Sequence, residues 1–161
     1  MPVSGDTSGA VLLGRVFLSR AFKNESAGDL SRVLRQVASA RREAGRPILC
    51  FMVVDPEAEV PSEAGRAVMQ RATLSLLNYC ESLTLVVEGN ELKRTLLRTV
   101  YRGMATLGGQ SLRIRVVDHL EAAARLAGEP ELELPELERR GREAGVWDLP
   151  LSDASDANAP S

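Results

Sequence analysis

A chain of 161 residues, 44% of them hydrophobic, is long enough for one domain with a real core, and only 4% aromatic residues makes that core aliphatic. A formal charge of −2 argues against nucleic-acid binding by the whole surface. The charge is uneven: nine acids and three arginines from Glu129 onward give −6, leaving +4 in the first 128 residues, so a mildly basic body carries an acidic tail.

Residues 1–9 are small and polar and read as a flexible N-terminus. "AVLLGRVFLSRAF" (10–22) is apolar and rich in β-formers, with Gly14 as a bend or bulge. It forms one bent strand or two short ones. Over 24–45 the spacing predicts a helix, with Leu30, Val33, Leu34, Val37 and Ala38 on one face and Arg32, Arg35, Arg41 and Arg42 away from it. Asp29 or Ser26 would cap it, and Gly45 and Pro47 would end it. "ILCFMVVD" (48–55) is continuously apolar, the pattern of a strand buried on both faces.

Residues 62–80 form the next predicted helix, apolar over more than half its circumference, with Ala64, Val68, Ala72, Leu76 and Tyr79 on one line and Met69, Leu77 and Cys80 on another. A strand follows over 82–89. A helix over 90–109 opens with Asn90 as cap and closes at Gly108 and Gly109. Its expected buried stripe is Leu92, Leu96, Val100 and Leu107, with Leu97 and Met104 beside it. "SLRIRVVD" (111–118) is the last strand, and 119–128 a short helix. The acidic tail, 129–161, has a short surface helix around 135–144 and a disordered end beyond Trp147. It is read first as solubilising the domain and second as folding back on a basic patch. Strands alternating with helices over short connections predict an α/β sheet with largely parallel inner pairs.

Cys50 and Cys80 lie in apolar contexts without a C-x-x-C unit and read as buried free thiols. No charged region followed by an apolar stretch opens the chain, and no apolar run approaches the ~20 residues of a membrane span. A cytoplasmic protein, away from membranes, is expected.

Asp55 stands at the carboxyl end of a central strand, where open α/β sheets place their sites. A phosphoacceptor there would need an acidic pair after the first strand to hold Mg²⁺ and a lysine after a later one. Here the first strand leads into "SRAFKNES" and the later strands into "EGN" and "DHL". Asp55 is therefore expected to end its strand and accept loop N–H groups. Ser62 follows Pro61 at a helix start and reads as an N-cap, at a position where a phosphate would also suit the helix dipole. "VVEGNELKR" (86–94) contains a single glycine and is neither G-x-G-x-x-G nor a P-loop, so its anion-holding signal is weak. Arg94, Arg98 and Arg102 recur at i, i+4 and i+8 as a basic stripe. Such a stripe is usually a solvated face, but it could meet an acidic partner or the chain's own tail. His119, the single histidine, has no partner residues by sequence. There is no nucleophile elbow, no carboxylate cluster and no metal-ligand spacing, so neither enzyme activity nor a cofactor or metal is expected.

The element order, "ILCFMVVD" leading to "PSEAGR", "LTLVVEGNELKRTLLRTVYRGM" and "IRVVDHLEAAARLAG" together resemble the STAS domain, and more closely its bacterial STAS-like branch, over residues 10–128. The resemblance implies a small mixed, mostly parallel sheet, with about four helices packed mainly on one face. It also implies a role in protein–protein signalling rather than catalysis. Anti-sigma-factor antagonists of this family carry a phosphorylatable serine in a D-S-S/T-G pattern. This chain instead reads "PEAEVPSEAG" after Asp55, so Ser62 is at most a positional equivalent. The candidate regulatory or partner-contact residues are Asp55, Ser62, Gly65 and Arg66. The candidate anion or partner contacts are Asn90, Lys93, Arg94, Arg98 and Arg102. The expected partner is another protein or a second copy of the chain. The alternative is a small-ligand binder using a strand-end pocket near Asp55 and Gly89.

Overall fold

β1 (Ala10–Leu13) and β2 (Val16–Ala21) form an antiparallel hairpin in which Leu13 pairs with Val16. The 10–22 run is thus two strands. Gly14 sits at φ +62° in the tight turn between them, a conformation that glycine reaches without a Cβ penalty. The structure, a computed structural model, describes residues 9–21, 27–109 and 112–147. The expectations for residues 1–8 and for the end beyond Trp147 lie outside these, as does a cap at Ser26, whereas Asp29, the other expected cap, falls within α1, which starts at Ala27.

After the hairpin come α1 (Ala27–Ala44), β3 (Ile48–Val54), α2 (Glu63–Leu76), β4 (Cys80–Val86), α3 (Leu92–Leu107), β5 (Ile114–Val117), α4 (Leu120–Ala127) and α5 (Leu134–Glu143). The sheet order is β1-β2-β3-β4-β5, and every pair after the hairpin is parallel. This is the mixed, mostly parallel α/β architecture expected, with five helices rather than about four. Each parallel step moves one strand in the same direction across the sheet. Connections of one hand therefore place α1, α2 and α3 on the same face. The chain after β5 is free to cover the other face.

β3 is buried along its whole length because it serves both faces. Ile48, Cys50, Met52 and Val54 join the core beneath α1–α3, whereas Leu49, Phe51 and Val53 join the core beneath α4 and α5. α1 turns Leu30, Val33, Val37 and Ala40 inward and ends at Gly45, where φ is +72°. α2 stops four residues before the expected 80, because turn hydrogen bonds from Asn78 N to Ser75 O and from Tyr79 N to Leu76 O unwind its end. Cys80 accordingly opens β4 instead of closing a helix, and β4 runs 80–86 rather than 82–89.

The folded body also runs past residue 128. α5 occupies most of the stretch assigned to a short surface helix, but it packs on β1 and β2. Leu137 and Val146 are fully buried there. Gly141 makes the approach feasible: a Cβ at that position would lie 2.6 Å from Trp147 Cζ3 and 2.7 Å from Leu18 Cδ2. Part of the acidic tail is thus a structural layer, held further by Glu129 Oε2 accepting from Arg15 Nε at 2.6 Å. Among the described residues no helix is long and apolar enough to cross a membrane.

Candidate functional site

Asp55 follows β3 and is 4% exposed. Its Oδ1 accepts from Glu57 N at 2.8 Å, and its backbone oxygen accepts from Ala58 N at 3.0 Å, so the residue ties off the loop after the strand. Arg20 Nε lies 3.8 Å from Oδ2. Ser62, on the far side of the loop, is exposed at φ −66°, ψ 170°, and its Oγ accepts from Gly65 N at 3.0 Å. That is the N-cap geometry expected, with one orphan donor of the first turn satisfied. Gly65 is buried and Arg66 exposed one position later. Asp55 and Ser62 bracket the loop from its two ends, one closing β3 and the other opening α2.

The basic stripe is built differently from a solvated face. Arg94 is 6% exposed and donates to three backbone oxygens: from Nε to Glu88 at 2.6 Å, from Nη1 to Asp55 at 2.9 Å, and from Nη2 to Val54 at 3.2 Å. Burial pushes its pKa down, while Tyr101, Glu91 and Glu88 act in the opposite direction. The guanidinium joins the carboxyl end of β3 to the loop after β4. Arg98 repeats the device from Nη1 to Val87 O at 2.6 Å and Gly89 O at 2.9 Å, and Arg102 Nη2 reaches Val116 O on the edge strand β5 at 3.2 Å. Lys93 instead pairs at the surface with Glu59, at 2.8 Å. Asn90 does not cap the helix. Glu91 holds the N-cap position, without a side-chain cap bond, and Asn90 is exposed in the preceding loop. Gly89, at φ +106°, lets the loop pass Arg94: a Cβ there would meet Arg94 Cγ at 3.0 Å.

These bonds reverse the expected orientation of α3. Its buried residues are Arg94, Leu97, Tyr101 and Ala105. Leu92, Leu96 and Leu107, expected to be buried, are 76%, 46% and 87% exposed. At about 3.6 residues per turn the two sets lie on opposite sides of the helix. Periodicity assigns burial to the leucine stripe and cannot see that Arg94 has three strand-end oxygens to satisfy on the side where Leu97, Tyr101 and Ala105 enter the core. Beside the stripe a small apolar groove, with about 20 Å³ of free space, lies between α2 and α3 over β4 and β5, lined in part by Met69, Leu74 and Met104.

Elsewhere, Asp118 bonds to His119 Nδ1, and that partner holds its carboxyl below the ordinary range, although both side chains are largely exposed. Among the described residues no group of three or more His, Cys, Asp or Glu could hold a metal. Sequence reasoning missed the Trp147 Nε1 bond to Glu88 Oε1 at 2.6 Å, which ties the chain after α5 to the loop before α3. No local pattern signals a pair 59 residues apart. No family model matches the chain, and no curated protein matches it.

Proposed function

We propose that this chain is a non-enzymatic protein–protein interaction module of the STAS-like type, serving signalling in the bacterial cytoplasm. The observation that carries the reading is the outward turn of the α3 leucines beside the α2–α3 groove. Contiguous exposed apolar surface rimmed by polar groups is characteristic of association sites. The strand carboxyl ends, where a small-ligand site or phosphoacceptor would be sought, offer less. The Asp55 carboxylate and the Arg94 and Arg98 guanidinia there already bond within the chain. The expected test is affinity capture of the full chain from the cells that make it, followed by reconstitution with the purified captured protein. A stoichiometric complex supports the reading. Failure to reconstitute any protein complex, together with saturable binding of a metabolite in native mass spectrometry, refutes it in favour of the ligand-binding alternative.

A further inference from the structure

The α3 stripe combines with its surroundings into a surface of definite chemistry. Leu92, Leu96, Thr99, Gly103 and Leu107 lie in turn along the outer side of a 16-residue helix, about 24 Å long. Among the described residues outside its own helical turn, nothing lies within 4 Å of a Cβ added at Gly103, so the middle of the stripe is open to close approach. Val100 and Met104, both half-buried, lead from the stripe into the groove, whose α2 wall carries Gln70, Thr73 and Leu74. A ridge of exposed leucines beside a small apolar groove offers a partner helix a line of apolar contacts along its length.

Charge decides which helix. α2 contains one acid, Glu63, and two arginines, Arg66 and Arg71; α3 contains four bases and no acid. With Arg94 and Arg98 both turned to strand-end oxygens, four bases, Arg66, Arg71, Lys93 and Arg102, stand against one acid on the outer side of the two helices, in a chain whose formal charge is −2. Only Lys93 has a carboxylate partner from outside them, Glu59, among the bonds described. Two copies meeting through this face would bring basic helices together, which opposes self-association here. An acidic partner gains both the apolar contact and the charge.

Building on the interaction-module reading, we propose that the α2–α3 face binds an acidic amphipathic helix of another protein, whose apolar side chains enter the groove and lie along Leu92, Leu96 and Leu107 while its carboxylates meet Arg66, Lys93 and Arg102. The partner is defined by alternating three- and four-residue apolar spacing with Glu or Asp on the flanks.

The test uses the full chain and a synthetic helix-forming peptide with that leucine spacing and glutamate flanks. A second peptide carries lysine in place of every glutamate. The glutamate peptide is expected to bind at least about tenfold more tightly than the lysine peptide and to weaken as salt rises. Leu92→Asp and Leu107→Asp, both at highly exposed positions, should keep the native circular dichroism and melting temperature yet lose at least about tenfold in affinity. Arg66→Glu should weaken the glutamate peptide and strengthen the lysine one. Equal affinity for both peptides, or unchanged binding in the folded leucine variants, overturns the proposal. So does binding to phosphatidylserine vesicles in preference to the peptide. Sedimentation showing a dimer that Leu107→Asp dissociates assigns the face to a second copy and overturns it as well. If a captured protein complexes with the wild type and the leucine variants equally, this surface is wrong while the interaction-module reading stands.

Discussion

Replacing Arg94 should destabilise the protein more than the loss of a surface cation can. Its guanidinium makes two hydrogen bonds of 2.9 Å or less, to Glu88 O and Asp55 O, and a longer one of 3.2 Å to Val54 O. Hydrogen bonds involving a charged group contribute roughly 1.5–3 kcal/mol each. Two strong ones suggest about 3–6 kcal/mol, before the variant recovers what it cost to desolvate the guanidinium. That cost is real, since burial is the largest influence on the Arg94 pKa. Asp55 O keeps its bond from Ala58 N, and Glu88 is only half-buried, so water can reach its oxygen. A net loss of about 2–4 kcal/mol is expected for Arg94→Ala. Arg94→Lys should recover only part of it, because one ammonium cannot span the three oxygens of the planar fork. Urea unfolding followed by circular dichroism measures both, with the slope checked for constancy so that the midpoint reports stability. If Arg94→Ala falls within about 0.5 kcal/mol of the wild type, the range of an ordinary surface substitution, the strand-end staple does not hold this fold together.

Three other outcomes are expected. Ser62→Ala should lose about 0.5–2 kcal/mol in urea unfolding, the usual value of a helix cap, whereas Ser62→Asp should stay folded because aspartate also caps; if Ser62→Asp abolishes partner binding while Ser62→Ala binds fully, Ser62 is a phosphoswitch. Gly141→Ala should lower stability by about 1–3 kcal/mol through overpacking against Trp147 and Leu18, and an unchanged melting temperature and Trp147 fluorescence would contradict the α5 packing. Burial pushes the Cys50 thiol pKa well up, with Cys80 adding to it, so the folded state holds that proton more tightly than the unfolded one. Its contribution is therefore complete below about pH 8.5, the ordinary thiol value, and is lost as pH rises above it; Cys50→Ala should flatten part of that decline in the urea midpoint, and a thiol reagent labelling native Cys50 as fast as the unfolded chain would refute the buried assignment.

The alternation of elements was legible because each carries a local physical signal. β3 could be recognised as a two-faced strand from seven consecutive apolar residues, since only a central parallel strand buries every side chain. Ser62 could be recognised as a cap because capping depends on the residue itself and its next three neighbours. Largely parallel inner pairing follows from that alternation over short connections, whereas the strand order, and with it the placing of α1–α3 on one face, came from the structure.

Orientation was decided by tertiary structure. α3 carries a leucine stripe and a face of Arg94, Leu97, Tyr101 and Ala105, and periodicity assigned burial to the more hydrophobic of the two. The sheet chose the other, because the carboxyl ends of β3 and the β4 loop present backbone oxygens that a buried guanidinium can satisfy. Cys80 likewise passed from helix to strand when the turn at Asn78 and Tyr79 ended α2. Gly141 reads as an ordinary surface-helix residue until Trp147 and Leu18 are brought against it. In each case the deciding contact joins residues distant in sequence, and a linear pattern contains no term for what the far side of the fold requires.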